Sequence, residues 1–201
     1  MKNLLMSFSC LLALMLCASD VTAQGGRGGH GKQGRNVQSS QSVGRGPQHG
    51  GPGGQNSGAV VSNVGGLNLL KMWEEEKLAR DVYLYLLDIW GVKIFSNISS
   101  SEQQHMDAVA SLLTKYGIPQ NVDGSNRGAY SFEEIRQLYV GLTQQGSLSE
   151  REAYLVGKGI EELDIDDLKA RLNTAQPDAQ EVFSRLLDAS YRHLSAFNSK
   201  L

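Results

Sequence analysis

Apolar residues recur at intervals of three and four through the C-terminal part of the chain, which is the spacing that places them on one face of an α-helix. The first such run spans 69–90 and predicts a long helix that ends at Gly91. The second follows a serine cluster at 99–101, whose hydroxyls are predicted to cap it, and continues to Tyr116. Helices of this kind are stabilised mainly by packing of their apolar face against the rest of the protein.

Three further helices are predicted from their start signals. The sequence Ser-Phe-Glu-Glu at 131–134 has the form of a capping box and opens a short helix that closes at Gly146. Ser149 begins a third long helix in the same way, and Pro177 begins the fourth. Asp164 either lies inside the third long helix or caps a short helix after it, and the cap is the favoured interpretation. No segment has the alternation typical of a strand, so the predicted class is all-α, with antiparallel neighbours joined by mostly short loops.

Residues 1–23 have the layout of a secretory signal peptide. Lys2 precedes an apolar run, and small residues lead to a predicted cleavage after Ala23. The alternative, an uncleaved membrane anchor, is disfavoured because the run is shorter than the roughly 20 residues that span a bilayer, and no other segment is a transmembrane candidate. Both cysteines, Cys10 and Cys17, lie in this leader, which excludes a disulfide framework in the exported chain. The predicted location is extracellular, or periplasmic in a bacterium.

Residues 24–66 are rich in Gly, Gln and Ser and are predicted to be a disordered tail, followed by a helical domain at 67–201. The tail carries four basic and no acidic residues, whereas the domain carries 14 basic and 20 acidic residues, a net charge of 14 − 20 = −6. A basic Gly-rich segment at 24–58 can bind a polyanion or a surface, or it can serve as a solvated spacer. Nothing in it points to sequence-specific recognition of nucleic acid.

Candidate functional residues lie on the apolar faces of the predicted helices. Glu102 and His105, three residues apart, share a helix face with Ile98, Val109 and Leu112, so both are predicted to point into the protein. A buried ionisable pair is costly unless it is hydrogen-bonded or coordinates a metal. The pair is therefore a candidate for half of a metal site.

The other long helices also place polar residues inward. These are Glu76, with Glu75 as second choice, then Glu161 and His193. Carboxylate-bridged metal sites are built in helix bundles from a Glu on each of two helices and Glu-x-x-His on each of the other two. The predicted ligands are Glu76, Glu102, His105, Glu161 and His193, holding one or two metal ions.

The motifs that carry these residues resemble the ferritin-like superfamily, and more narrowly a prokaryotic branch described as a domain of unknown function. The resemblance covers about 67–201. It implies a four-helix bundle with one extra short helix and an iron or manganese centre, and with them a di-iron-type oxidoreductase or a metal-handling protein. The quoted motifs are Trp-Glu-Glu-Glu-Lys-Leu-Ala-Arg-Asp-Val-Tyr at 73–83, Ser-Glu-Gln-Gln-His-Met at 101–106, Gly-Ile-Glu-Glu-Leu-Asp-Ile at 159–165 and His-Leu-Ser-Ala-Phe at 193–197.

One position departs from the superfamily pattern. Ser190 stands three residues before His193, where a carboxylate is expected, and a hydroxyl is a poorer ligand for a hard divalent metal. The centre then binds either two ions with unequal ligand sets or one ion with a full set. Asp164 is able to supply the missing carboxylate if its helix continues through it. Tyr83 is read as a core aromatic in preference to a hydrogen-bond donor to a ligand or a radical site.

Two alternatives stay open. In the first, the buried polar residues are hydrogen-bonded to one another without a metal ion, and the acids at 74–76 form surface ion pairs with Lys77 and Arg80. In the other the protein is a non-enzymatic extracellular matrix or mineral-associated protein that acts through its basic tail. Asn97 lies in a glycosylation acceptor motif, and the oligomeric state is left open by the sequence.

Overall fold

Residues 63–201 are the part of the chain that the computed structural model describes, and within them there are five α-helices and no strand. The helices are α1 (Asn63–Trp90), α2 (Lys93–Lys115), α3 (Glu133–Gly146), α4 (Glu150–Leu172) and α5 (Pro177–Asn198). The predicted all-α class is confirmed for this part. None of these helices is long and apolar enough to cross a membrane. The predicted leader at 1–23 and nearly all of the predicted tail at 24–66 lie outside the described residues.

Several predicted helix ends are confirmed. Gly91 and Gly117 have φ angles of 66° and 68°, and each follows the end of its helix closely, in the left-handed region that glycine adopts without a steric cost. Ser149 Oγ accepts a hydrogen bond of 3.1 Å from the backbone N–H of Glu152 at the start of α4. Pro177 is the first residue of α5.

The predicted serine cap of α2 is wrong. The helix begins at Lys93, and the hydroxyls of Ser99 and Ser100 lie inside it, donating to the carbonyl of Ser96 at 3.1 and 2.9 Å. The physical reason is Phe95, which is completely buried in an apolar cluster and holds the first turn in place. Packing of that ring outweighs the local preference of serine for a cap.

The predicted capping box of α3 does not form either. The helix begins at Glu133, and its N-cap residue, Phe132, has no side-chain cap. Instead, the carboxylate of Glu74 on α1 accepts hydrogen bonds from the hydroxyl and N–H of Ser131 and from the N–H of Phe132, the last at 3.2 Å. A buried acid from another helix therefore provides the negative group that a helix N-terminus favours.

The favoured cap at Asp164 is also wrong, because α4 runs through this residue without a break. Asp164 lies one turn after Glu161, and its Oδ2 accepts a hydrogen bond of 2.5 Å from Ser190 on α5. Its side chain is thus used between helices and not at a helix end.

The helices contact one another in two principal pairs. The most extensive contacts join α1 to α2 and α4 to α5, and the pairs meet through α1 with α4 and α2 with α5. The short helix α3 packs on α1 and α4. Ile135, Leu138 and Leu142 of α3 are buried in that contact.

Two apolar clusters occupy the interior. One surrounds Tyr83, Phe95 and Phe197, and the other surrounds Trp73 and Phe183. On each of the four long helices, the predicted ligands lie between residues of the first cluster and residues of the second cluster in the sequence. The predicted ligands therefore form a polar layer with apolar packing above and below it.

Candidate metal centre

All five predicted ligands are brought together in this polar layer. Glu76 stands on α1, Glu102 and His105 on α2, Glu161 on α4 and His193 on α5. None is more than 9% exposed. Burial of so many ionisable groups is costly unless they compensate one another or bind a cation.

The five residues form two groups of three that share one carboxylate. Glu76, Glu102 and His105 make up one group, and Glu102, Glu161 and His193 make up the other. In each group, one ligand atom from every residue lies within 4.8 Å of those from the other two. Two carboxylates and one imidazole are donors that suit first-row transition metals.

Glu102 is the residue that joins the two groups. Its Oε2 lies 2.6 Å from Nδ1 of His105, and its Oε1 lies 2.9 Å from Nδ1 of His193. The two imidazole rings are stacked with their centroids 5.8 Å apart. A carboxylate whose two oxygens face separate imidazoles is placed to bridge two ions.

Each histidine nitrogen faces a second carboxylate as well. Nδ1 of His105 lies 3.2 Å from Oε2 of Glu76, and Nδ1 of His193 lies 3.4 Å from Oε2 of Glu161. A ring N–H carries one hydrogen and donates it in one direction. Hydrogen bonding within the layer therefore leaves some acceptors without a donor.

Three atoms of the layer show this directly. Oε1 of Glu76, Oε1 of Glu102 and Nδ1 of His193 are buried and have no hydrogen-bond partner among the described residues. The last two are 2.9 Å apart, but the pair lacks the alignment of a hydrogen bond. Because native structures leave few buried polar atoms unpaired, these donors fit a metal ion better than a closed hydrogen-bond network.

Burial and neighbouring charges shift the pKa values in opposite directions. Burial raises the pKa of Glu76 and of Glu161 to about 7. It acts the same way on Glu102, but the two adjacent imidazoles, which are positively charged when protonated, outweigh it and lower the pKa of that carboxyl to about 2. Burial alone would lower the histidine values, yet the carboxylates raise the pKa of His105 to about 11 and that of His193 to about 9. Protons and metal ions therefore compete for the same atoms.

Tyr83 supports Glu161 from the first apolar cluster. Its hydroxyl donates to Oε1 of Glu161 at 2.6 Å, and the ring is fully buried near Phe95 and Phe197. Burial and the nearby Glu161 raise the pKa of Tyr83 well above its usual value. The tyrosine is a core aromatic, and it also makes the hydrogen bond to a predicted ligand that the sequence interpretation disfavoured.

A cavity between α1, α3 and α4 reaches the carboxylates of the layer. Glu76, Glu102, Glu161 and Asp164 line it, together with leucines of the three helices. Neither predicted histidine ligand lines it. The carboxylates of the layer thus border this cavity.

The choice between Glu75 and Glu76 is decided by the partners of each. Glu76 belongs to a ligand group, whereas Oε2 of Glu75 lies 3.0 Å from Nη2 of Arg171 on α4. Burial raises the pKa of Glu75 to about 8 although Arg171 acts against it. Glu75 therefore contacts Arg171 at the edge of the cavity and belongs to neither ligand group.

A second polar cluster on α1 was not predicted. Lys77 and Asp81 are completely buried and 2.6 Å apart, and Arg80 donates to Asp81. Lys77 and Arg80 also donate to the carbonyls of Asn126 and Gly124, at 2.7 and 2.6 Å. The alternative of surface ion pairs is wrong here, because these charges tie α1 to the segment between α2 and α3. Helical periodicity carried no signal for this, since charged residues occur on both faces of α1.

Comparisons with known proteins agree with the described fold. The model of a family described as "Uncharacterized protein domain (DUF2202)" matches residues 67–201. The uncharacterized protein MJ0754 of Methanocaldococcus jannaschii is 47% identical over 130 residues, which are 64% of this chain and 70% of that protein. The crystal structure of hypothetical protein MJ0754 from Methanococcus jannaschii matches with a TM-score of 0.65 at 44% sequence identity, covering 68% of this chain and 78% of that one.

Proposed function

The chain belongs to the DUF2202 family of uncharacterized protein domains, and we propose that it is a ferritin-like four-helix bundle that binds metal ions in its core. In this arrangement α1, α2, α4 and α5 form the bundle and α3 is the extra short helix. The two helix pairs, with the ligands between them, support the proposal. So does the position of the polar layer between the two apolar clusters.

The observation that carries the proposal is the carboxylate of Glu102, which two buried Glu/His groups share. Glu76, Glu102 and His105 would hold one ion, and Glu102, Glu161 and His193 would hold the other. Iron or manganese suits this mixed set of oxygen and nitrogen donors. The unpaired buried atoms of the layer are the ligand atoms that such ions would satisfy.

The chemistry available to such a centre follows from the surroundings of the ligands. Iron or manganese, when bound, supplies one-electron redox chemistry. The protein contributes packed apolar residues on both sides of the layer, which exclude water, and imidazoles held by carboxylates. A cavity borders the carboxylates of the layer. We therefore propose a metal oxidase or a metal-handling protein of di-iron type.

We further propose that the protein is exported. The basis is the predicted signal peptide at 1–23, which would place the metal centre outside the cytoplasm. A cysteine-free exported chain depends on its core and its ligands, and not on disulfides, for stability.

Elemental analysis tests the metal proposal. The untagged chain from residue 24 is loaded anaerobically with Fe(II) or Mn(II), freed of excess metal and analysed. We expect about two ions per chain. His105→Ala and His193→Ala each remove a ligand from a different group, so each variant should lose about one ion or bind both more weakly.

The matched control is His49→Ala, which removes an imidazole from the predicted tail. It should leave the metal content unchanged. Metal-dependent thermal stabilisation gives an independent measure, because an ion that binds the folded state raises the melting temperature. A wild-type chain that retains no metal and melts at the same temperature with and without it would refute the proposal.

A further inference from the structure

Helix α5 lacks the carboxylate that would complete the second half of the layer. On α2, a glutamate precedes the ligating histidine by three residues; on α5 that position is Ser190, which is completely buried. A serine hydroxyl does not supply the negative charge that a hard divalent ion requires. Another residue must supply this negative charge, or the second metal position lacks a carboxylate ligand.

Asp164 on α4 is the carboxylate next to this serine. Ser190 Oγ lies 2.5 Å from Oδ2 of Asp164 and 2.9 Å from the carbonyl of Leu186. The bond to Asp164 reaches across from α5 to α4, so Ser190 determines where the Asp164 carboxylate sits. Among the described residues no other group hydrogen-bonds to Asp164, and no cation pairs with it.

Arg171, an arginine of the same helix, is already engaged with other acids. Arg171, which lies on α4 two turns after Asp164, pairs with Glu75 at 3.0 Å and with Asp167 at 2.5 Å. Asp164 instead lines the same cavity as Glu76, Glu102 and Glu161. It lies one helical turn after Glu161, on the same face of α4.

We propose that Asp164 is an additional ligand of the metal centre, positioned by Ser190, so that α4 supplies Glu161 and Asp164 where the usual pattern takes a second Glu from α5. This inference rests on the proposed metal-binding function. With Asp164 the site contains four carboxylates and two imidazoles, the complement of a dinuclear carboxylate centre. Four negative charges then balance the four positive charges of two divalent ions.

Three variants of the full chain test the assignment. Asp164→Asn keeps the size of the side chain and removes its charge, and should reduce bound Mn(II) from about two ions per chain to about one. Ser190→Ala keeps Asp164 but removes its positioning bond, and should weaken binding of one ion by about 10-fold or more. Asp164→Asn combined with Ser190→Glu moves the carboxylate to α5 and should restore binding of the second ion.

Asp166→Asn is the matched control, because Asp166 is an exposed acid of the same helix turn. It should bind Mn(II) as the wild type does. Helical content and melting temperature in the presence of chelator show whether each variant is folded before metal is added. Ser190→Ala provides a second measure if Asp164→Asn does not fold.

The outcomes separate this inference from the proposed function. If the wild type binds about two ions and both Asp164→Asn and Ser190→Ala bind them with the same affinity, Asp164 is not a ligand, while the metal centre stands. If the wild type binds no Mn(II) or Fe(II), the metal centre and this inference fall together. Loss of one ion in Asp164→Asn and its recovery in the double variant would establish the assignment.

Discussion

Glu74, Glu75 and Glu76 are consecutive in α1, and each carboxylate meets a different partner. Glu74 binds Ser131 before α3, Glu75 pairs with Arg171 on α4, and Glu76 belongs to the proposed metal centre. Successive positions of an α-helix are rotated by about 100°, so three adjacent acids point in three directions. Because α1 is covered on nearly every side, each of the three carboxylates meets a different set of neighbouring groups.

Asp81 is the residue on which the second polar cluster of α1 depends. It accepts hydrogen bonds from Lys77 at 2.6 Å, Arg80 at 2.5 Å, the N–H of Gly128 at 3.0 Å and the hydroxyl of Tyr130 at 3.0 Å. Asp81→Asn keeps the shape but leaves buried cations without their anion. We expect it to lower the free energy of unfolding by about 3–5 kcal/mol, measured by urea denaturation.

Asp88→Asn is the control for that substitution. Asp88 also pairs with an arginine, Arg127, at 2.6 Å, but its side chain is 63% exposed and the arginine is 37% exposed. Solvent screens such a pair, so its loss should change the free energy of unfolding by about 1 kcal/mol or less. Equal losses in the two variants would show that burial of the Asp81 cluster has no energetic consequence.

Packing between helices determines where the helices begin and end more than the local capping signals do. α2 begins before the serine cluster because Phe95 is buried in its first turn, and α4 continues through Asp164 because that side chain is bound by Ser190. Serine and aspartate near a predicted boundary favour a cap only when no partner from another helix takes the side chain. Ser149, whose hydroxyl does meet the N–H of Glu152, remains a cap.

The contact between α4 and α5 gives a prediction at this scale. Gly157 of α4 has the ring of Phe197 directly against it, so a methyl group there would overlap the ring. Phe197 is fully buried and packs near Tyr83 at 5.4 Å and Phe95 at 6.0 Å, which leaves it little room to move. Gly157→Ala should lower the free energy of unfolding by about 1–3 kcal/mol through overpacking.

Gly159→Ala provides the comparison in the same helix. A methyl group at Gly159 would meet no atom within 4 Å. Alanine favours a helix interior over glycine, so this variant should be unchanged or more stable by about 0.5–1 kcal/mol. Denaturation curves of the two variants, side by side, measure the effect. A stable Gly157→Ala variant would mean that α4 and α5 are able to separate without cost.

At the scale of the whole molecule, charge divides the chain into two parts. The predicted tail has four basic residues and no acid, and residues 67–201 have a net charge of −6. A tail of that composition attracts polyanions through charge alone, and salt screens such attraction over about 10 Å at 0.1 M. We expect a peptide of residues 24–58 to bind heparin in dilute buffer and to be released by added salt.

A peptide with Arg27, Arg35 and Arg45 replaced by glutamine should bind heparin much more weakly, because one positive lysine charge remains. Binding that is insensitive to salt, or equal for the two peptides, would argue against a polyanion partner. Full-length chain and peptide should behave alike if the tail acts independently of the helices. Fluorescence titration at several salt concentrations gives these comparisons.

The helical class, the order of the long helices and the inward direction of Glu76, Glu102, His105, Glu161 and His193 were readable from the chain, because side-chain spacing along one helix is a local property. Contacts between helices are not local. The sharing of Glu102 by two histidines, the bond between Ser190 and Asp164 and the burial of Asp81 with Lys77 depend on where distant segments pack. Only the tertiary structure decided these, since they are distances across helices that no interval along the sequence specifies.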